Sequence, residues 1–382
     1  MIKNKIPASS TVAINSLALE RKQRGEPVYN FAAGDPVILN HPAISSAAIQ
    51  AAEGRLSPYA PVMGLPELRL LAANWINSTY ETQFGAENTL VTCGGKFALF
   101  AALQLLLQSG DEVLIPSPFW TSYPAMVRLF NAEAKTIATT EKSGWKIDAE
   151  SLRMALTPRS KILILNNACN PTGALYSKEE LQALLQVAAD ANLTVISDEV
   201  YSGIVYDEEK FISCGAFPEH KERVLVIQSC SKNFGMTGWR VGFAFGPKEL
   251  IAEMGALQSQ STTGTSILSQ WAAIGALKNA EEVMREVQII MQRRRDLFID
   301  TFNQLFACNI PKPASAIYAF VPLSIFGIQG TNCKQTAEKW MKEAGIACVQ
   351  GSAFGMPGYM RFAFTENEEV LVEGLKALRK VI

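Results

Sequence analysis

The stretch VIQSCSKNFGMTGWR (226–240) places two hydroxyls, Ser229 and Ser231, beside an amine, Lys232, and follows them with a guanidinium, Arg240. Serine hydroxyls and an arginine suit a phosphate, which a guanidinium can grip through two parallel N–H donors. An amine at the end of a buried strand is a candidate for imine formation, because burial and nearby cations favour its neutral, nucleophilic form. A solvated loop lysine is the alternative. Four other strand-end motifs carry groups that would complement such a site. LTVIS runs into DEVY, where Asp198 needs a cationic partner if it is buried, whether in a structural ion pair or against a positive ring nitrogen. NNACNPTG is strong turn chemistry, and the amide of Asn170 is placed either to cap that turn or to donate to a ligand oxygen. In VTCGGKFALF, glycines up to Gly95 open a helix at Lys96, offering backbone N–H groups to an anion. In PSPFWTSYP, Trp120 is a flat aromatic that serves either packing or stacking on a planar group.

These motifs need a scaffold that brings strand ends together. Candidate strands are TLVT (89–92), EVLIP (112–116), KTIAT (135–139), KILILN (161–166), LTVIS (193–197), VLVIQ (224–228) and VGFAF (241–245). Most are unbroken apolar runs, as expected where helices cover both faces of a mainly parallel sheet. Ser177 and Glu180 form a capping box ahead of the helical pattern EELQALLQVAADAN. KFALFAALQLLLQ is apolar nearly all round and reads as a buried helix. Beyond about residue 265 the pattern turns helical, and the last seventy or so residues mix strands and helices as in a second, α+β unit. The expected division is an N-terminal segment (1–40) joining the small domain, a large domain (41–285) and a small C-terminal domain (286–382). In an open α/β sheet, ligands bind beyond the carboxyl ends of the strands, where the motifs above fall.

Composition excludes several classes. The chain has 382 residues, 48% of them hydrophobic, and a formal net charge of -1, which offers no electrostatic footprint for nucleic acid or an anionic membrane. FALFAALQLLL is too short to span a bilayer, and the N-terminus lacks the apolar core of a signal peptide. Seven cysteines at irregular spacing read as reduced, mostly buried thiols in a cytoplasmic protein. Only His41 and His220 exist, which argues against a histidine-rich metal site or a Ser-His-Asp hydrolase; His220, in PEHKER, reads as part of a solvated loop. No Walker loop or G-x-G-x-x-G is present, since Phe97 follows Lys96 where a hydroxyl is required.

Taken in order, YAPVMGLPELR, VTCGGKFALF, PSPFWTSYP, NNACNPTG, SDEVY, SCSKNFGMTGWR and GYMRFAF resemble a class I aminotransferase dependent on pyridoxal 5'-phosphate, of fold type I, over nearly the whole chain. The resemblance implies an α/β fold with a mainly parallel seven-stranded sheet sandwiched by helices, plus a smaller α+β domain. It implies that Lys232 holds the cofactor and moves the proton of the reaction, and that Asp198 pairs with the ring nitrogen. Tyr201 and Asn170 would bond the ring oxygen and Trp120 stack on the ring. Gly95, Lys96 (through its backbone), Ser229, Ser231 and Arg240 would hold the phosphate. Tyr59 would reach the phosphate of a neighbouring subunit, which implies a homodimer. Arg361 would clamp the substrate α-carboxylate, with Gly34, Trp120 and Asn170 lining the same pocket. The departures are Asp35 in Gly34-Asp35-Pro36, where the family often has Glu, and Asn233 after the lysine; neither removes a catalytic group.

Within that family, GGK, FWTSYPAMVR and SQSTT are most similar to the prokaryotic aspartate aminotransferases. This implies Lys96 as the hook for a distal carboxylate, and a ping-pong transfer from L-aspartate to 2-oxoglutarate. The other readings are an aminotransferase for aromatic or other neutral amino acids, a C–S β-lyase on the same frame, and a non-enzymatic regulator module. The last would carry a DNA-binding domain ahead of the motifs, which here begin within the first sixty residues.

Overall fold

The computed structural model describes residues 10–36, 38–54, 58–328 and 332–382; of the expected N-terminal segment, residues 1–9 and 37 lie outside these. In chain order its strands are β1 (Tyr29–Asn30), β2 (Thr89–Thr92), β3 (Glu112–Ser117), β4 (Glu133–Ala138), β5 (Ser160–Asn166), β6 (Thr194–Asp198), β7 (Val224–Ser229), β8 (Gly242–Phe245), β9 (Tyr318–Pro322), β10 (Ile346–Ala347), β11 (Val349–Gln350) and β12 (Tyr359–Ala363). All seven expected core strands form, and they join one sheet in the order β2-β8-β7-β6-β5-β3-β4. Strand β8 runs antiparallel to both neighbours, whereas the pairs from β7 across to β4 are parallel. Apolar runs are what a sheet covered on both faces demands. Alternate residues of β6 and β7 accordingly enter two different cores: Val195, Val224 and Val226 one, Ile196, Leu225 and Ile227 the other.

Local signals explain the flanking helices. The Lys178–Asp190 helix begins where Ser177 Oγ accepts from Glu180 N at 3.2 Å and the Glu180 carboxylate accepts from Ser177 N at 2.7 Å, the reciprocal box expected from the sequence. The Gly95–Leu106 helix starts at Gly95 with no side-chain cap, so its first N–H groups remain for other partners. The helix Ala280–Phe306 passes from one core to the next: Val283 packs in the large-sheet core, while Val287, Met291 and Phe298 pack in another. That other core lies beside the antiparallel sheet β11-β12-β9 and includes Trp340 and Phe362. The N-terminal chain joins the same region, with β1 pairing with β10 and Phe31 buried among those side chains.

One expectation fails. His220 is buried within the short turn Pro218–His220, because the neighbouring Phe217, also buried, draws the turn onto the core. All seven cysteines are unpaired, five of them buried. No helix among the described residues is long and apolar enough to cross a membrane.

Candidate active site

A cavity of about 270 Å³ opens at the carboxyl ends of β5, β6 and β7. It is lined by twelve of the thirteen residues singled out from sequence: Gly34, Gly95, Lys96, Trp120, Asn170, Asp198, Tyr201, Ser229, Ser231, Lys232, Arg240 and Arg361. The thirteenth, Tyr59, is 91% exposed and lies in a separate surface cleft with Thr262–Ile267.

Lys232 is carried by a one-turn helix, Cys230–Asn233, that Ser229 caps as β7 ends: Ser229 Oγ accepts from Ser231 N at 3.1 Å and lies 2.9 Å from Ser231 Oγ. Lys232 Nζ donates to Gly34 O. Its pKa is pushed down to about 8, chiefly by burial, with Arg240 and Arg361 adding to the fall and Asp35 opposing it. That brings the neutral amine within reach near neutral pH. Beside it, Arg240 adopts a left-handed backbone (φ 57°) and donates to Thr237 O at 3.0 Å. Gly94, at φ 81°, must lack a side chain, since a Cβ there would stand 2.6 Å from Arg240 Nη2.

Asp198 ends β6 and is buried. Tyr123 OH donates to its Oδ2 at 2.6 Å, and among the described residues its Oδ1 has no partner. Burial raises its pKa to about 6, against the lowering effect of the Tyr123 bond. Its strand neighbour Glu199 faces away, accepting from Ser197 Oγ at 2.7 Å and Cys214 N at 2.9 Å. Asn170 gives its side-chain oxygen to Arg361 Nη1 at 3.0 Å, which leaves its amide NH2 as a donor. Trp120 packs edge-on to Tyr123 at 5.3 Å between ring centroids and carries Lys96 Nζ 4.8 Å above its ring. Burial, then Arg240, lowers the Lys96 pKa.

Arg361 is the most telling group. It is 2% exposed, donates to Ala32 O at 2.7 Å as well as to Asn170, and lies over the ring of Tyr318 at 4.2 Å. Its Nε is buried without a partner, and no carboxylate among the described residues pairs with it. A buried, uncompensated guanidinium beside a cavity is built for an anion.

Sequence reasoning gave no role to several lining residues. Tyr318, from β9, bonds its hydroxyl to Tyr201 OH at 2.7 Å and approaches Gly34 so closely that a Cβ on that glycine would lie 2.1 Å from the phenol oxygen. No local motif marks Tyr318; it reaches the site by tertiary packing across 117 residues. Tyr123 and Asn166 were visible inside the quoted motifs. Their signal was adjacency to Trp120 and Asn170, and Asn166 orients the latter by accepting from its N–H at 2.8 Å.

The family model for aminotransferases of class I and II matches residues 26–378. The chain belongs to the class I and II aminotransferases. This aminotransferase is 37% identical over 377 residues to the aspartate/prephenate aminotransferase of Thermus thermophilus, covering 98% of this chain and 96% of that one. It is 35% identical over 387 residues to the aspartate aminotransferase of Streptomyces avermitilis, covering 99% and 94%. Among solved structures, the aspartate aminotransferase from Thermus thermophilus with maleate superposes at a TM-score of 0.94 with 35% identity, covering 99% of this chain and 97% of the other. The fold is therefore fold type I, and enzymes of this family depend on pyridoxal 5'-phosphate. The cavity fits that cofactor: the orphaned Asp198 Oδ1 suits a cationic ring nitrogen, and the hydroxyls of Ser229 and Ser231 with Arg240 suit a phosphate.

Proposed function

We propose that the enzyme moves the amino group of L-aspartate to 2-oxoglutarate, giving oxaloacetate and L-glutamate. One observation carries the choice of a dicarboxylate: two cations, Arg361 and Lys96, line the same cavity as Lys232, and neither has a carboxylate partner among the described residues. Two anionic groups on one substrate would neutralise both. Relatives named aspartate aminotransferase, and a similar structure solved with maleate, itself a dicarboxylate, support the reading.

In this proposal Arg361 holds the α-carboxylate and Lys96 the distal one. Lys232 would hold the cofactor and, when free as a neutral amine, would take up and return the proton at the substrate Cα. Asp198 would keep a positive charge on the ring nitrogen, its carboxylate fixed by Tyr123. Asn170 and Tyr201 would contact the ring oxygen, Trp120 would cover the ring, and Gly95, Lys96 N–H, Ser229, Ser231 and Arg240 would bind the phosphate. Gly34 closes the substrate side, where its carbonyl steadies Lys232. When bound, the cofactor supplies an electron sink for the bond broken at Cα.

Tyr59 is exposed and outside its own cavity, so a second copy of the chain is proposed to bring it to the partner's phosphate, in a homodimer. The division into 1–40, 41–285 and 286–382 belongs to the same proposal, supported by the change of core between Val283 and Val287. Unpaired cysteines favour the cytoplasm as its place of work. A second reading adds prephenate as a 2-oxo acid partner, since it too carries two carboxylates and relatives bear that name.

A panel of amino donors tests the assignment. Lys96→Ala should lower kcat/KM for aspartate far more than for alanine or phenylalanine. Equal losses on all donors would return Lys96 to the phosphate and sink the dicarboxylate reading.

A further inference from the structure

Behind the cavity lies a buried polar cluster that the proposed mechanism does not use. Asn233, Ser202 and Gln228 are at most 3% exposed, and none of them lines the cavity. Asn233 Nδ2 donates to Ser202 Oγ at 3.0 Å and to Gln228 Oε1 at 3.3 Å, while Asn233 Oδ1 accepts from Gly203 N at 3.1 Å. Gln228 Nε2 completes the ring by donating to Ser202 Oγ at 3.1 Å. Each member is the sequence neighbour of a residue facing the cavity: Asn233 of Lys232, Ser202 of Tyr201, and Gln228 of Ser229. Two stretches of chain that meet at the site, 202–203 and 228–233, are thus tied together behind it by side-chain bonds added to the backbone pairing of β6 with β7.

We infer that Asn233 is a positioning residue, which holds the Lys232 turn in register with the Asp198–Tyr201 segment and the Ser229 strand end. The physical reason is that a fully satisfied buried network permits one arrangement of its backbone, whereas an apolar filler would let the one-turn helix rotate. Rotation would change the distance of the Lys232 amine from the charges that face it, namely Asp35 on the 34–36 segment, Arg240 beyond the turn, and Arg361 on β12. Other side chains would fill the volume, but only an amide donates to Ser202 and Gln228 while accepting from Gly203.

This inference rests on the assignment of Lys232 to the cofactor, so that assignment is checked first by borohydride reduction and peptide mapping of the wild-type holoenzyme; label elsewhere would fail the functional reading itself. With Lys232 established, cofactor absorbance is titrated against pH without substrate in Asn233→Ala, Ser202→Ala and the double variant. Asn233→Ala should move the midpoint by about half a unit or more. It should also lower kcat by roughly 10- to 100-fold, the scale of an ångström of misplacement, with KM for aspartate little changed. Ser202→Ala should shift both quantities in the same direction, and the double variant should add little to the larger single effect. If Asn233→Ala does not fold, Ser202→Ala decides by the same two readouts. A midpoint and kcat equal to wild type, with only the melting temperature lowered, would make the cluster structural and overturn the inference.

Discussion

Replacing Arg361 by methionine separates a residue that binds substrate from one that holds the fold. The guanidinium has five N–H donors, of which Ala32 O and Asn170 Oδ1 take two, and the buried Nε–H has no partner. Its removal forfeits two charge-assisted hydrogen bonds, about 1.5–3 kcal/mol each. It also relieves a buried charge, here facing no carboxylate, whose desolvation costs several kcal/mol. These contributions nearly offset, so the melting temperature of the substrate-free protein should change little. Catalysis should not escape: losing a buried contact to a carboxylate costs about 2–5 kcal/mol. That corresponds to a loss on the order of 30-fold to several thousand-fold in kcat/KM. Because every amino acid carries an α-carboxylate, aspartate and alanine should suffer alike. Thermal melts with maleate give an independent readout. Wild type should be stabilised by about 2.7 kcal/mol at a hundred times Kd, and Arg361→Met should lose most of that shift. Loss confined to aspartate, or an undiminished maleate shift, would show that Arg361 does not hold the α-carboxylate.

Two further outcomes follow from the same geometry. Asp198 in the cofactor-free protein has its pKa raised to about 6 by burial. Between roughly pH 4 and 6 the folded state therefore keeps a proton that the unfolded state has released, so stability is full below that window and falls as pH rises through it, by about 3 kcal/mol. Glu199, also raised by burial, to about 7, contributes in the same direction, so the slope is read as wild type minus Asp198→Asn in urea melts. Equal slopes in the two proteins would show that Asp198 is not the group responsible. Gly34→Ala should crowd the Tyr318 phenol oxygen, 2.1 Å from the new Cβ, and cost about 1–3 kcal/mol of stability in urea melts. Adding Tyr318→Phe leaves ring carbon 3.2 Å away and should restore much of the loss; a double variant as poor as Gly34→Ala would place the strain elsewhere.

The sheet was legible because most of its strands are apolar on both faces, a pattern that survives without tertiary context; edge strand β4 is the exception. Lys232, Asp198, Asn170 and Trp120 were legible for a related reason: each stands at or just beyond a strand end, where an α/β sheet gathers its ligands. What the sequence withheld depends on contacts between distant segments. Tyr318 carries no motif and enters only because β9 packs against the Gly34 loop. The polar cluster around Asn233 was likewise hidden, since Ser202 looks ordinary until its segment meets the 228–233 stretch that carries Gln228 and Asn233. His220 misled because its neighbours are charged, whereas Phe217 decides where that turn lies.

Every role proposed for the site depends on Lys232 being the residue that holds the cofactor. The most direct test is borohydride reduction of the purified, cofactor-loaded enzyme, followed by proteolysis and mass mapping of the pyridoxyl label. Label on Lys232, and its disappearance in Lys232→Ala, is the predicted result. Label on Lys96 or any other lysine in the wild-type protein would contradict the account.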